Sequence, residues 1–162
     1  MKTVVNENAF QGMMPSSQYD SLGKAVEEAV RRSCEGKEAA VAFSGGMDSG
    51  LFAALASRYA RSVTCYTCGT DGSFDVAAGK ELAEKLGLPR VHCRIAEDTI
   101  GEDIRQMILA TKVSDPFTAS YGLQLFTVCR QAGEPVVLSG RGSDEYFGAC
   151  ASPYDSRLEL TK

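Results

Sequence analysis

Histidine occurs once in the chain, at position 92. There is no H-E-x-x-H helix pattern and no Cys/His spacing of the zinc-site kind, so a dedicated zinc centre is excluded on pattern. Long apolar runs are missing too: none approaches the ~18 residues that a membrane helix needs. The opening stretch, MKTVVNENAF, has no sustained apolar segment of the secretory type. A cytoplasmic chain that does not enter a membrane is the expectation. No long run of Lys or Arg exists and the net charge is −4, so composition offers no electrostatic case for nucleic acid.

What is present supports a packed domain. Of the 162 residues, 44% are hydrophobic and 23% charged, enough apolar material for one sizeable core and too much for a disordered chain. Residues 1–162 read as a single domain, with 1–17 as an irregular N-terminal arm. The six cysteines, Cys34, Cys65, Cys68, Cys93, Cys129 and Cys150, read as free and mostly buried thiols in such a compartment.

Periodicity organises the remainder. A helix is expected from Ser17 or Ser21 to about Glu35, with Leu22, Val26, Ala29 and Val30 inward. A strand follows over Ala39–Phe43, a helix over Leu51–Tyr59, and a strand over the β-branched and aromatic Ser62–Cys68. Phe74–Leu86 reads as a helix stopped by Gly87, with Val76, Leu82, Ala83 and Leu86 inward. Val91–Ile95 reads as a strand that contains His92, which is given a structural part only. Thr99–Thr111 and Pro116–Gln131 read as helices, the second opening after Asp115 with proline in its first turn. Pro135–Leu138 is the last strand. Strands alternating with helices predict an α/β fold, a doubly wound parallel sheet with helices on both faces. Ligands in such sheets bind at the carboxyl ends of the strands.

The stretch VAFSGGMDSG, 41–50, carries the strongest chemical signal. A short strand breaks into Ser44, Gly45 and Gly46, and Asp48 and Ser49 lead into a helix. Backbone N–H groups of a glycine turn and a helix start can converge on an anion. Ser44 and Ser49 add hydroxyls, and Asp48 adds a carboxylate able to hold Mg2+. No lysine follows the glycines, so this is not the G-x-x-x-x-G-K-[ST] loop. A second glycine-rich segment, VLSGRGSDEYFG at 137–148, follows the last strand and should lie at the same sheet edge. Asp144 and Glu145 place two carboxylates at its tip, and a cation bridging phosphate oxygens favours hard oxygen ligands. Ser143 capping a helix start, with the acids complementing its dipole, is the other reading of that segment.

The first stretch resembles the SGGxDS signature of the PP-loop ATP pyrophosphatase superfamily (adenine nucleotide alpha hydrolase-like), which cleaves ATP between its α- and β-phosphates. The two stretches together resemble the synthetase domain of asparagine synthetase and β-lactam synthetase, whose patterns are SGGLDS and LSGEGSDELFGG. The likeness runs over roughly 39–148. It implies binding of ATP and Mg2+, formation of an acyl-adenylate from a carboxylate or amide substrate, and displacement of AMP by an amine. By position it implies that Ser44, Gly45, Gly46, Asp48 and Ser49 hold pyrophosphate and metal. Ser139 and Gly140 would lie by the adenine or ribose, Cys68 and Gly69 would line the adenine pocket, and Asp144 would be the second metal carboxylate.

Three departures shape the expectation. Arg141 stands where the family has a Glu implicated in its amide-forming half, a reversal from acid to base; it either pairs with a ligand carboxylate or phosphate, as a catalytic group, or sits in solvent. The chain ends at Lys162, before the family's further helices and lysine, and Lys2 follows Met1 where a glutaminase would carry a cysteine. A homodimer or partner subunit completing the substrate site is therefore expected. Two other functions stand beside the synthetase: a non-catalytic adenine-nucleotide-binding regulator, and a PP-loop sulfurtransferase acting on tRNA through Cys65 and Cys68. Alternation in a strand sends those two cysteines to opposite faces. Tyr121 and Tyr146 are candidates for stacking on a base, with core packing favoured.

Overall fold

A computed structural model of the chain describes residues 16–113 and 115–143. Nine elements follow in order: α1 (Ser16–Cys34), β1 (Glu38–Ala42), α2 (Met47–Tyr59), β2 (Ser62–Gly69), α3 (Phe74–Leu86), β3 (Arg90–Arg94), α4 (Ile100–Thr111), α5 (Pro116–Gln131) and β4 (Val136–Ser139). Residues 1–15 of the arm, Asp144, Glu145, Tyr146 and Cys150 lie outside the described residues, whereas Ser16 and Ser17, expected in the arm, belong to α1.

The strands form one parallel sheet in the order β3-β2-β1-β4. The chain steps outward from β1 to β2 to β3, then returns through α4 and α5 to place β4 on the other side of β1. That reversal makes the β1/β4 carboxyl edge the switch point, where the loops diverge and leave a crevice. Val41 pairs with Leu138 and Ala42 with Ser139, so both glycine-rich loops leave the sheet at the same level.

Helices cover both faces, as expected for a parallel sheet. On one side Val30 and Cys34 of α1, Ala53 and Ala56 of α2 and Ala83 of α3 pack on Val41, Val63 and Cys65. On the other, Val128 of α5 packs on Ala40, Tyr66, Cys68 and Cys93, and Met107 of α4 joins Ala119 and Leu123 of α5. The strand interiors are accordingly apolar on both faces, with Ala39, Ala40 and Val41 fully buried.

Local chemistry sets the ends. Gly87 closes α3 in the left-handed conformation at φ 66°, which costs a residue without a Cβ nothing. Asp115 caps α5 by accepting from the Thr118 N–H at 2.7 Å, ahead of Pro116 in the first turn. On α1, Glu28 accepts from Arg31 and Arg32 at 2.7 and 2.6 Å. These guanidiniums, Arg31 first, hold its carboxyl down at about 2.

Three expectations are corrected. Helix α2 begins at Met47 rather than Leu51, so Asp48 and Ser49 belong to its first turn. Leu22 and Ala29 of α1 are exposed rather than inward: the inward stripe runs at steps of four through Val26, Val30 and Cys34, Ala29 lies beside it, and Leu22 stands a full turn before it begins. Tyr121 is 57% exposed rather than packed in the core, its ring set edge-on to Phe117 with centroids 4.9 Å apart.

Candidate functional site

The loop after β1 is shaped by what glycine permits. Gly45 has φ +80°, and a Cβ there would stand 2.4 Å from the Ala78 carbonyl carbon and 2.5 Å from the Gly79 nitrogen. The loop therefore rests on the backbone of α3. Gly79 of that helix meets Thr67 of β2 at similarly short range, a Cβ there falling 2.6 Å from Oγ1. Gly45 thus lets the loop rest on the α3 backbone, and Gly79 lets α3 close over the Thr67 side chain of β2.

Within the loop, the Gly46 N–H donates to Ser44 Oγ at 3.3 Å, and the Ser49 hydroxyl donates to Gly46 O at 3.1 Å. Ser44 and Ser49 hydroxyls lie 3.3 Å apart. Gly46 is the N-cap of α2 and offers no side chain to the helix start. The N–H groups of Met47, Asp48 and Ser49 have no intrahelical acceptor, as at any helix start, and they lie where the helix dipole is positive. Among the described residues no hydrogen bond or ion pair engages the half-buried Asp48 carboxylate.

The second loop comes against this turn. A Cβ on Gly140 would stand 3.0 Å from Asp48 Cβ and 3.3 Å from the Ser49 nitrogen. Ser139 Oγ accepts from the Arg141 N–H at 3.1 Å, and Gly140 O accepts from the Ser143 hydroxyl at 2.7 Å. The Arg141 side chain is exposed and has no partner among the described residues. Ser44, Gly45, Gly46, Asp48, Ser49, Ser139, Gly140 and Arg141 are therefore brought to one sheet edge. Asp144 lies outside the described residues.

Cys68 and Gly69 lie one strand further along. They line a cleft of about 380 Å3 with Thr70, Ser73, Ile95 and Leu123. Its walls come from the turn after β2 and from α4 and α5, so its floor is the end of β2 and its sides are apolar. Ser73 Oγ is buried there with no hydrogen-bond partner among the described residues. The contributions of Ile95, Ile100, Ile104, Leu123 and Gln124 were not legible in the sequence, since they depend on how α4 and α5 cross the sheet end. A second, apolar cleft of about 410 Å3 lies between α2 and α3, lined by Met47, Leu51, Leu82 and Leu86. Leu86, expected inside, is thus at the rim of this cleft.

Cys65 belongs to the α1–α3 face and Cys68 to the α4–α5 face. Burial pushes both thiols up, Cys65 to about 11. Two thiols separated by the sheet cannot act together, which removes the support for a paired-cysteine sulfurtransferase. Among the described residues no group of three His, Cys, Asp or Glu side chains forms a metal cluster, and no helix is long and apolar enough to cross a membrane.

Comparison with known proteins completes the picture. The Asn_synthase family model, described as asparagine synthase, matches residues 21–161. The chain is 32% identical over 155 residues to an asparagine synthetase [glutamine-hydrolyzing] of Brassica oleracea, covering 86% of this chain and 26% of that protein. It is 31% identical over 159 residues to the asparagine synthetase [glutamine-hydrolyzing] of Asparagus officinalis, covering 88% of this chain and 27% of that protein. It therefore spans about a quarter of the length of these curated relatives. Among solved structures, an NH3-dependent NAD synthetase from Campylobacter jejuni superposes with a TM-score of 0.50 at 16% identity, over 85% of this chain and 62% of that one. That likeness concerns the fold. With the parallel sheet, the SGGMDS stretch after β1 and the LSGRGSDE stretch that begins at the end of β4 in the matched range, this chain belongs to the asparagine synthase family.

Proposed function

We propose that this domain binds ATP across the β1/β4 crevice and cleaves it to AMP and pyrophosphate in order to adenylate a carboxylate or amide substrate. The observation that carries this reading is the backbone contact of Gly140 with Asp48 and Ser49. It joins a helix start without a side-chain cap, two hydroxyls and a carboxylate with no partner among the described residues to the second glycine loop at one edge.

The anion chemistry follows from the parts. The Gly45–Ser49 N–H groups and the Ser44 and Ser49 hydroxyls would hold the β- and γ-phosphates, the portion that leaves as pyrophosphate. An Asp48 carboxylate without a partner among the described residues offers the hard oxygen ligand that Mg2+ takes, and Asp144 would supply a second. The ion, when bound, offsets charge on the phosphate oxygens. The Cys68–Gly69 cleft would take the base, with Ser139 and Gly140 beside it. Arg141, exposed and without a partner among the described residues, would meet the carboxylate of the substrate or a phosphate oxygen.

In the reaction, a substrate oxygen attacks the α-phosphorus, forming a C–O–P bond. The bond from the α-phosphorus to its bridging oxygen breaks, and pyrophosphate departs with the electron pair. An amine nitrogen then attacks the acyl carbon, loses a proton, and AMP leaves as the C–O bond breaks. The domain's share is to align the attacking oxygen and the leaving group and to compensate charge. The acceptor-binding surface would be completed by a second copy or a partner subunit.

Pyrophosphate–ATP exchange in the presence of candidate acids such as aspartate tests the reading. Exchange that needs an added acid and is lost in Asp48→Ala supports it. ATP binding unchanged in both Asp48→Ala and Ser44→Ala overturns the site.

A further inference from the structure

The single histidine has a place that the reaction does not use. His92 lies on edge strand β3, and its Nε2 stands 3.0 Å from the carbonyl oxygen of Gly69. A carbonyl oxygen only accepts, so Nε2 carries the proton and donates. The same oxygen accepts from the Ile95 N–H at 3.0 Å. Gly69 is thus held from two sides, just where β2 ends and the cleft begins.

The tie extends along the turn. Nδ1 of His92 faces Asp71 Oδ1 at 3.9 Å, and Arg94 Nε donates to the same carboxylate at 2.7 Å. His92 is 24% exposed whereas Asp71 and Arg94 are both 64% exposed. Exposed ion pairs contribute little, so the part-buried imidazole bond is the stronger of the two ties. Space is tight beneath it: a Cβ on Gly69 would stand 2.6 Å from Ser73 Oγ. Gly69, Thr70 and Ser73 all line the cleft. A shift of this turn would change the cleft without altering the Ser44–Ser49 loop, which rests on Ala78 and Gly79 further along α3.

We propose that His92 is a positioning residue for nucleoside recognition: its Nε2–H bond to Gly69 fixes the β2–α3 turn as the wall of the base cleft. The assignment rests on the nucleotide reading above. It predicts a separation between the two halves of the ligand, because the imidazole governs the nucleoside cleft and not the phosphate loop.

The test is calorimetric binding of AMP, ATP and inorganic pyrophosphate to the full chain as wild type, His92→Phe and His92→Gln. Phenylalanine keeps a ring without a donor, and glutamine restores an N–H. Loss of one positioning hydrogen bond predicts AMP and ATP affinity roughly five- to tenfold weaker in His92→Phe. Pyrophosphate affinity should be unchanged, and His92→Gln should recover most of the loss. Wild type that binds AMP with His92→Phe equal to it overturns the assignment alone, as does a parallel fall for AMP and pyrophosphate. A wild-type protein that binds none of the three ligands overturns the nucleotide reading and the assignment together.

Discussion

Gly140 lies against Asp48 so closely that a single added carbon would stand 3.0 Å from the aspartate Cβ. The contact joins loops separated by most of the chain and aligns the carboxyl ends of β1 and β4. Gly140→Ala should destabilise by about 1–3 kcal/mol through overpacking, and it should weaken ATP binding by displacing the first turn of α2. Thermal melts and ATP titration of the same variant measure both effects.

Gly45→Ala should be more damaging. The site combines φ +80° with backbone atoms at 2.4 to 2.7 Å, which no side-chain rotation relieves. Gly72→Ala separates the two causes, since its φ is +77° with open space around it. The latter should lose only the left-handed penalty of roughly 1–2 kcal/mol. Urea unfolding of the pair checks the order; equal losses would contradict the close contact with α3.

Asp48→Asn should leave the melting temperature near that of the wild type, because the carboxylate has no protein partner among the described residues. Mg2+-dependent ATP binding should fall sharply, while any metal-independent binding of pyrophosphate persists. Titrations with and without Mg2+ distinguish this from a loss of folding.

The Asp115 cap provides a pH signature. Hydrogen bonding from Thr118, its side chain first and its backbone N–H second, holds the carboxyl below the usual aspartate range. A depressed carboxylate contributes stability above its unfolded value and loses it as pH falls through the folded value. Wild type should therefore melt above Asp115→Ala at neutral pH, and the gap should close in acid. A gap independent of pH would show that the charge plays no part in capping.

Thiol reactivity should follow burial. Desolvation raises Cys65 and Cys93 to about 11 each, so their thiolates are scarce at pH 8 and alkylation stays slow. Cys129 is exposed. Peptide mapping after brief labelling of the native protein should find Cys129 modified and Cys65 and Cys93 untouched; early labelling of Cys65 would contradict the α1–α3 packing.

Much of this architecture was legible in the residues because local and global signals agree. Gly87 ends α3, Asp115 and Pro116 open α5, and the β-branched run at 62–68 is a strand. The start of α2 was not legible: Gly46, Met47, Asp48 and Ser49 carry no apolar periodicity, and the helix starts there because the glycine turn delivers the chain to it. Ser44–Ser49 and Ser139–Gly140 could be placed at one edge from strand order. Their contact could not, since it depends on the register of Ala42 with Ser139. The cleft walls and the His92 bond to Gly69 are long-range in the same way. Leu86 misled because its helical spacing fits the core, while α2 and α3 diverge enough to leave it at a cleft.

The stacking of Gly45 on Ala78 and Gly79, and of Gly79 on Thr67, bears on how this chain tolerates change. The loop is held by main-chain atoms, whose positions depend little on which side chains surround them. Outward residues of α3 such as Lys80, Glu81 and Glu84 can be exchanged without moving the loop. Enlargement at 79 forces α3 away from Thr67 of β2, and enlargement at 45 forces the loop away from α3. Mutational scanning of α3 should therefore divide sharply, with a narrow strip of positions that accept only the smallest residue beside a broad solvent face with few restrictions.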